Sequence, residues 1–382
     1  MHAGLRSLDR FLAQAERAIA LVERCKPLNA CAEQRRLSSA WASGRPALPE
    51  WHYAAAPDLS ELRRLLDRVV ETVGGAGPWG GLYADRAREL GLEAAAAEAV
   101  GTCALAGRAA ERYGLLTDED AACAEAWAEL WWQDSAPRQG DASLSDDEGN
   151  PQSLLCALRR EVGRLRLPFR VVVVDDLPAA AATGDGVIAV RPGVWLAERD
   201  VARIVVHEIE GHALPRQRAR AEACGLFRVG TAGGSDDEEG RALLIERRSG
   251  RLDAGRRATL AHRHLAARCV RQGADFVQTV RLLRERGAEL TAALTHAARV
   301  HRGGGLAREI VYLPALSRVS RALDQTPELE SLMARGRVGV SAGRRMLALG
   351  SPPERIPVGA DGLLEAGAGA LLQLANHRAA NA

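Results

Sequence analysis

Lysine is almost missing from this 382-residue chain: Lys26 is the only one, so nearly all of the 51 basic residues are arginine. That bias, with abundant Ala, Gly and Leu, reflects genomic composition and says nothing of function. An excess of either charge is missing too. Fifty-one basic against 49 acidic residues leave a formal net charge of +2, which gives no electrostatic reason to expect nucleic acid or an anionic membrane as partner. No C-x-x-C pair occurs. The seven cysteines, Cys25, Cys31, Cys103, Cys123, Cys156, Cys224 and Cys269, are odd in number and scattered, a pattern that predicts reduced, mostly buried thiols. No apolar run is long enough to span a bilayer. The opening MHAGLRSLDRFLAQAERAIALVERC breaks its apolar residues with Arg and Glu at helical spacing, so it lacks the uninterrupted core of a signal peptide. These absences lead to the expectation of a soluble cytoplasmic protein.

The chain is long enough to bury a substantial core, as one large domain or two modest ones. Apolar residues recur at helical spacing over Leu5–Arg24, and DLSELRRLLDRVVETV repeats the pattern behind an Asp58 cap. Tyr83–Tyr113 and Asp118–Trp132 also read as helices. The polar stretch QDSAPRQGDASLSDDEGNPQS then has no periodicity and predicts an exposed loop or linker. Past a helix over Leu154–Leu165, the β-branched run Phe169–Val174 and the shorter Gly186–Val190 read as strands, with LPAAAATGD between them. Helical texture resumes over Arg256–Leu294 and Leu316–Leu349, interrupted by Gly303–Gly305. No internal repeat is visible. The expected fold is α+β, mostly helical, with a small β-sheet beside a metal-binding helix. Its organisation is read as an N-terminal helical region over 1–150 integrated with a catalytic region over 151–349, then a tail over 350–382.

The chemistry is concentrated in VHEIEGHALP, Val206–Pro215. Two histidines bracket a glutamate, but with the spacing H-E-x-x-x-H. On a regular helix His207 and His212 would point about 140° apart, whereas H-E-x-x-H separates its histidines by only about 40°. One inserted residue forming a π-bulge would return both imidazoles to one face. The apolar VARIVV before the motif suits a buried site, and Pro215 is expected to stop the helix just past His212. A catalytic zinc commonly takes three protein ligands and keeps one position open. The acidic start of GGSDDEEGRALLIERR, which reads as a new helix, offers the third ligand, although acidic residues also suit a helix N-terminus for its dipole. Glu238 and Glu239 are not separable by their chemistry.

His207-Glu208-Ile209-Glu210-Gly211-His212, then Glu238-Glu239-Gly240-Arg241-Ala242, then HRGGGLAREIVYLPAL occur in that order, and together they resemble the family of microtubule-associated tyrosine carboxypeptidases and its bacterial relatives. The resemblance runs to about Leu349. It implies a zincin-like metallopeptidase in which His207, His212 and Glu239 hold Zn²⁺. The chain departs from the family pattern at Arg241, where the family has Leu, and at Ala307-Arg308-Glu309, where it has Thr-Lys-Asp. Ligands and charge signs survive, so the departures bear on substrate choice.

On that reading zinc acidifies a water and polarises the scissile carbonyl, Glu208 accepts the water proton, and Tyr312 is the candidate donor to the developing oxyanion. A C-terminal exopeptidase needs a cation for the terminal carboxylate. The resemblance points to Arg302 or Arg308 for this, with Gly303 and Gly304 allowing close approach of substrate and His301 lining the same pocket. His262 and His264 are expected on a solvated helix, and His2, His52, His296 and His377 have no motif context. The expected function is removal of a C-terminal residue, aromatic by analogy, from a peptide or protein. The rivals are a dipeptidyl-type zinc exopeptidase and a non-catalytic regulatory protein, the latter disfavoured by retention of Glu208.

Overall fold

The computed structural model describes residues 3–114, 117–134, 142–175 and 177–350. The tail expected beyond 350 and the middle of the polar stretch, 135–141, lie outside the described residues.

Seven helices come first: α1 (Ala3–Ile19), α2 (Leu21–Arg24), α3 (Ala30–Ala42), α4 (Ser60–Gly74), α5 (Gly77–Glu98), α6 (Ala104–Tyr113) and α7 (Asp118–Trp131). The expected first helix breaks at Ala20, whose φ of 42° is left-handed. In α4 the apolar residues Leu62, Leu65, Leu66, Val69 and Val73 fall on one face and are all buried. Asp58 supports the start of this helix by accepting the N–H of Ser60 at 3.0 Å, one residue ahead of the cap position at Leu59.

The middle of the chain carries β1 (Ala142–Leu144), α8 (Leu154–Arg164), β2 (Arg170–Val173), β3 (Ala181–Thr183), β4 (Val187–Val190), β5 (Trp195–Ala197) and α9 (Glu198–Val206). The polar stretch is thus not all loop, because β1 pairs antiparallel with β5. The other sheet has the order β2-β4-β3, with β2 parallel to β4 and β3 antiparallel to it. Strand β3 lies within the Ala-rich segment between the two expected strands. Among the described residues it has a strand partner on one side only.

A π-helical turn, His207–Ala213, follows α9 directly. Then come α10 (Leu214–Ala221), α11 (Leu226–Val229), α12 (Gly234–Arg248), α13 (Ala254–Arg271), α14 (Phe276–Glu285), α15 (Leu290–Gly305), a 3₁₀ turn at Arg308–Val311, α16 (Tyr312–Gln325), α17 (Glu328–Met333) and α18 (Val340–Leu349). Pro215 does not stop the helix as expected. The backbone stays helical from the π turn through Pro215 into α10, and the carbonyls of Glu210 and Gly211, which its missing N–H cannot meet, accept from Arg241 instead.

The largest apolar core joins Leu8, Leu66, Leu226, Leu243, Leu316 and Met346, so helices from both ends of the chain share it. A second core, with Leu158, Phe169, Ile188, Val201, Ile209 and Ala213, packs the three-stranded sheet, α8 and α9 under the π turn. No described helix is long and apolar enough to cross a membrane.

Candidate metal centre

The π turn solves the spacing problem of the histidine motif. An i→i+5 turn brings residues five apart onto one face, and the Nε2 atoms of His207 and His212 are 3.2 Å apart. Helix α12 supplies the third group. Oε2 of Glu239 lies 3.7 Å from Nε2 of His207 and 3.9 Å from Nε2 of His212. These three residues form a group that could hold a metal ion. With metal–ligand bonds of about 2.0–2.1 Å, a tetrahedral ion separates its ligand atoms by about 3.3–3.4 Å, so the observed spacing fits an ion of that size with small adjustment.

Two glycines let α12 come close enough. A Cβ on Gly211 would meet Cβ of Ala242 at 2.7 Å, and one on Gly240 would run into the Ala315 carbonyl of α16. Arg241 fastens the same contact by donating to the carbonyl oxygens of Glu210, at 3.1 Å, and Gly211.

A carboxylate stands at the Nδ1 of each imidazole, hydrogen-bonded at His207 and in ionic contact alone at His212. Nδ1 of His207 is 2.7 Å from Oε1 of Glu246, and Nδ1 of His212 is 3.3 Å from Oε1 of Glu238. Each is backed by an arginine: Arg256 donates to both oxygens of Glu246 at 2.9 and 3.0 Å, and Arg216 lies 3.1 Å from Glu238. A carboxylate on Nδ1 fixes the tautomer that leaves Nε2 free to bind a metal. Burial would depress the His207 imidazole, but hydrogen bonds to Glu239 and Glu246 outweigh it and hold it at about 10. Burial likewise opposes ionisation of Glu238, yet Arg216 and His212 pull it down to about 2. Against the same burial, His207, His212 and Arg308 hold Glu239 well below the usual carboxylate range. The centre thus gathers buried imidazole and carboxylate donors, a set that suits a cation.

Glu208 is buried beside the pair, its Oε2 accepting a 2.8 Å hydrogen bond from Thr183 at the end of β3. One carboxylate oxygen is oriented and the other stays available, as proton transfer requires. Strand β3, at an edge of its sheet among the described residues, thus lies beside the π turn.

The remaining expected residues divide. Arg308 reaches the centre, with Nη2 3.4 Å from Oε1 of Glu239. Tyr312 is buried at the start of α16, close enough to Arg308 for strong electrostatic coupling. Arg302 turns into the core instead, 3.6 Å from Glu309 and beside Cys25. Gly303 and Gly304, at φ of 73° and 106°, serve packing within the chain, since a Cβ on Gly303 would lie 2.6 Å from Sγ of Cys25 and one on Gly304 would meet the Thr102 carbonyl. His301 pairs with Thr279 at 2.8 Å and packs on Phe276. His262 and His264 are buried, not solvated as expected. Sequence reasoning missed Glu246, Arg256, Arg216 and Thr183. Only Glu246 left a signal, being seven residues after Glu239 and so on the same helix face.

A family model described as microtubule-associated tyrosine carboxypeptidase matches residues 41–348, a span that holds every residue of the centre. No curated protein matches the chain.

Proposed function

The chain belongs to the microtubule-associated tyrosine carboxypeptidase family, and on that footing we propose that it is a zinc metallocarboxypeptidase of zincin-like fold. It removes the C-terminal residue of a peptide or protein, an aromatic one by analogy with the family's name. The observation that carries this reading is the convergence of two Nε2 atoms and one Glu239 oxygen beside a general-base candidate, Glu208.

His207, His212 and Glu239 would hold the ion, which when bound supplies Lewis acidity toward water and the scissile carbonyl. The other steps belong to the chain's own groups. Glu208, held through one oxygen by Thr183, takes the proton of the attacking water on its other oxygen and returns it to the leaving amine. Tyr312 donates to the carbonyl oxygen as charge develops there. The open side of β3 accepts the substrate backbone as an added strand. A dipeptidyl enzyme would need anionic groups for a free amine, and the arginines around Tyr312 disfavour it.

Purified protein is expected to carry about one zinc per chain, lost in His207→Ala, His212→Ala and Glu239→Ala by elemental analysis; full retention by all three variants rejects the site. Glu208→Gln should keep its metal while hydrolysis of a C-terminally varied peptide library, followed by mass spectrometry, falls by about a hundred- to ten-thousandfold. Turnover near wild type in that variant would remove Glu208 from the mechanism.

A further inference from the structure

A carboxypeptidase must recognise the charged end of its substrate, so the following inference rests on the reading above. Four guanidinium groups surround Tyr312: Arg256 and Arg263 from α13, Arg299 from α15, and Arg308. Arg256 and Arg263 are seven residues apart and share one face of α13. Three of the four already have a carboxylate. Arg256 holds Glu246 at 2.9 Å, Arg299 holds Glu309 at 2.5 Å, and Arg308 lies 3.4 Å from Glu239.

Arg263 has none. Among the described residues it makes no hydrogen bond or ion pair, and its Nε is buried without a partner. Arg299 and Arg256 face it and repel it, Tyr312 and His296 lie near it, and Glu309 attracts it without a hydrogen bond or ion pair, its Oε1 shared by Arg299 and Arg302 and its Oε2 buried without a partner. Burial first, then those two arginines, lowers its guanidinium to about 9. A partly buried cation lacking a counter-charge is costly unless another molecule supplies one. The position is suitable as well. Two turns away on the same face of α13, Arg256 holds the Glu246 that meets Nδ1 of His207, so Arg263 lies on the helix that borders the centre.

We propose that Arg263 binds the α-carboxylate of the substrate's C-terminal residue, on the face of α13 beside Tyr312. Its planar fork offers two parallel donors to the two carboxylate oxygens. Arg302, paired with Glu309 in the core, and Arg308, engaged by Glu239, are not free to take the substrate.

The test uses the full-length Glu208→Gln protein as purified, titrated calorimetrically with an N-acetylated tripeptide and with its C-terminal amide. The acid is expected to bind about ten- to a hundredfold more tightly than the amide. Adding Arg263→Gln should bring the two within about threefold of each other, and Arg263→Lys should recover part of the difference. A folded Arg263→Gln protein that keeps the full preference overturns the assignment. If that variant does not fold, an undiminished preference in Arg263→Lys, which keeps the charge but loses the fork, overturns it equally. Release of the C-terminal residue by the unmodified enzyme is measured beside these titrations. Release together with an unchanged preference in the variants sinks Arg263 alone. No release from any free-acid peptide sinks the carboxypeptidase reading and this inference with it.

Discussion

Glu238 and Glu239 have the same chemistry and adjacent positions, but about 100° of helix separates what they do. Glu239 meets the Nε2 atoms of both histidines, while Glu238 meets Nδ1 of His212 and the guanidinium of Arg216. Glu246, fully buried on the face of Glu239, hydrogen-bonds Nδ1 of His207, a closer hold than the ionic contact Glu238 makes with His212. Changing Glu246 to Gln should therefore weaken metal binding by about ten- to a hundredfold in competition with a chelator. It should also cost about 1.5–3 kcal/mol in chemical denaturation, because Arg256 loses a charged partner. At this scale the sequence revealed the residues whose spacing is itself the signal, His207, Glu208 and His212. It did not reveal the arginines, because in a chain where arginine stands in for lysine almost everywhere, only a fold distinguishes a paired guanidinium such as Arg302 from an unpaired one such as Arg263.

Among the elements, the π turn matters most. Its presence followed from the five-residue histidine spacing, since a regular helix cannot turn both rings the same way. What did not follow was how the chain leaves it: the helix runs on through Pro215, with Arg241 meeting the carbonyls that the proline cannot. Strand β3 was hidden by its composition, because Ala181 and Ala182 carry none of the β-branched signal that marks β2 and β4. The strand is set by pairing with β4 and by Thr183 on Glu208. The contact between the π turn and α12 depends on Gly211, which is packed against Ala242. Gly211→Ala should force the two apart and cost about 1–3 kcal/mol. Thermal melting would show the loss, with a lowered metal affinity in the same protein; an unchanged melting temperature and affinity would mean that the contact relaxes freely.

For the whole molecule, the decisive tie is between residues far apart in sequence. Arg337 pairs with both oxygens of Glu16 at 2.5 and 2.7 Å, and Arg86 adds a third contact at 3.0 Å. Burial would raise the Glu16 carboxyl, but Arg337 outweighs it and holds it at about 2 against an ordinary 4.5. A carboxyl with a depressed folded-state value contributes stability that is fully present above about pH 4.5 and is lost as pH falls toward 2. Glu16→Gln should flatten that part of the stability–pH curve by on the order of 1–3 kcal/mol, measured by denaturant titration between pH 5 and 2.5; an unaltered slope would refute the tie. Periodicity located most helices but carried no sign of this long-range pairing. The same late segment also grips the entry to α12, where Thr231 donates its N–H to the Arg337 carbonyl at 3.0 Å and Asp237 accepts the N–H of Val340 at 2.7 Å. A chain still emerging from the ribosome, with its histidine motif synthesised but residues 337–340 not yet made, lacks the groups that seat the helix bearing Glu239. The candidate centre therefore depends on a segment synthesised well after its own residues, so a chain cut short before Arg337 would keep the histidine motif and Glu239 but lose the contacts that hold them in register.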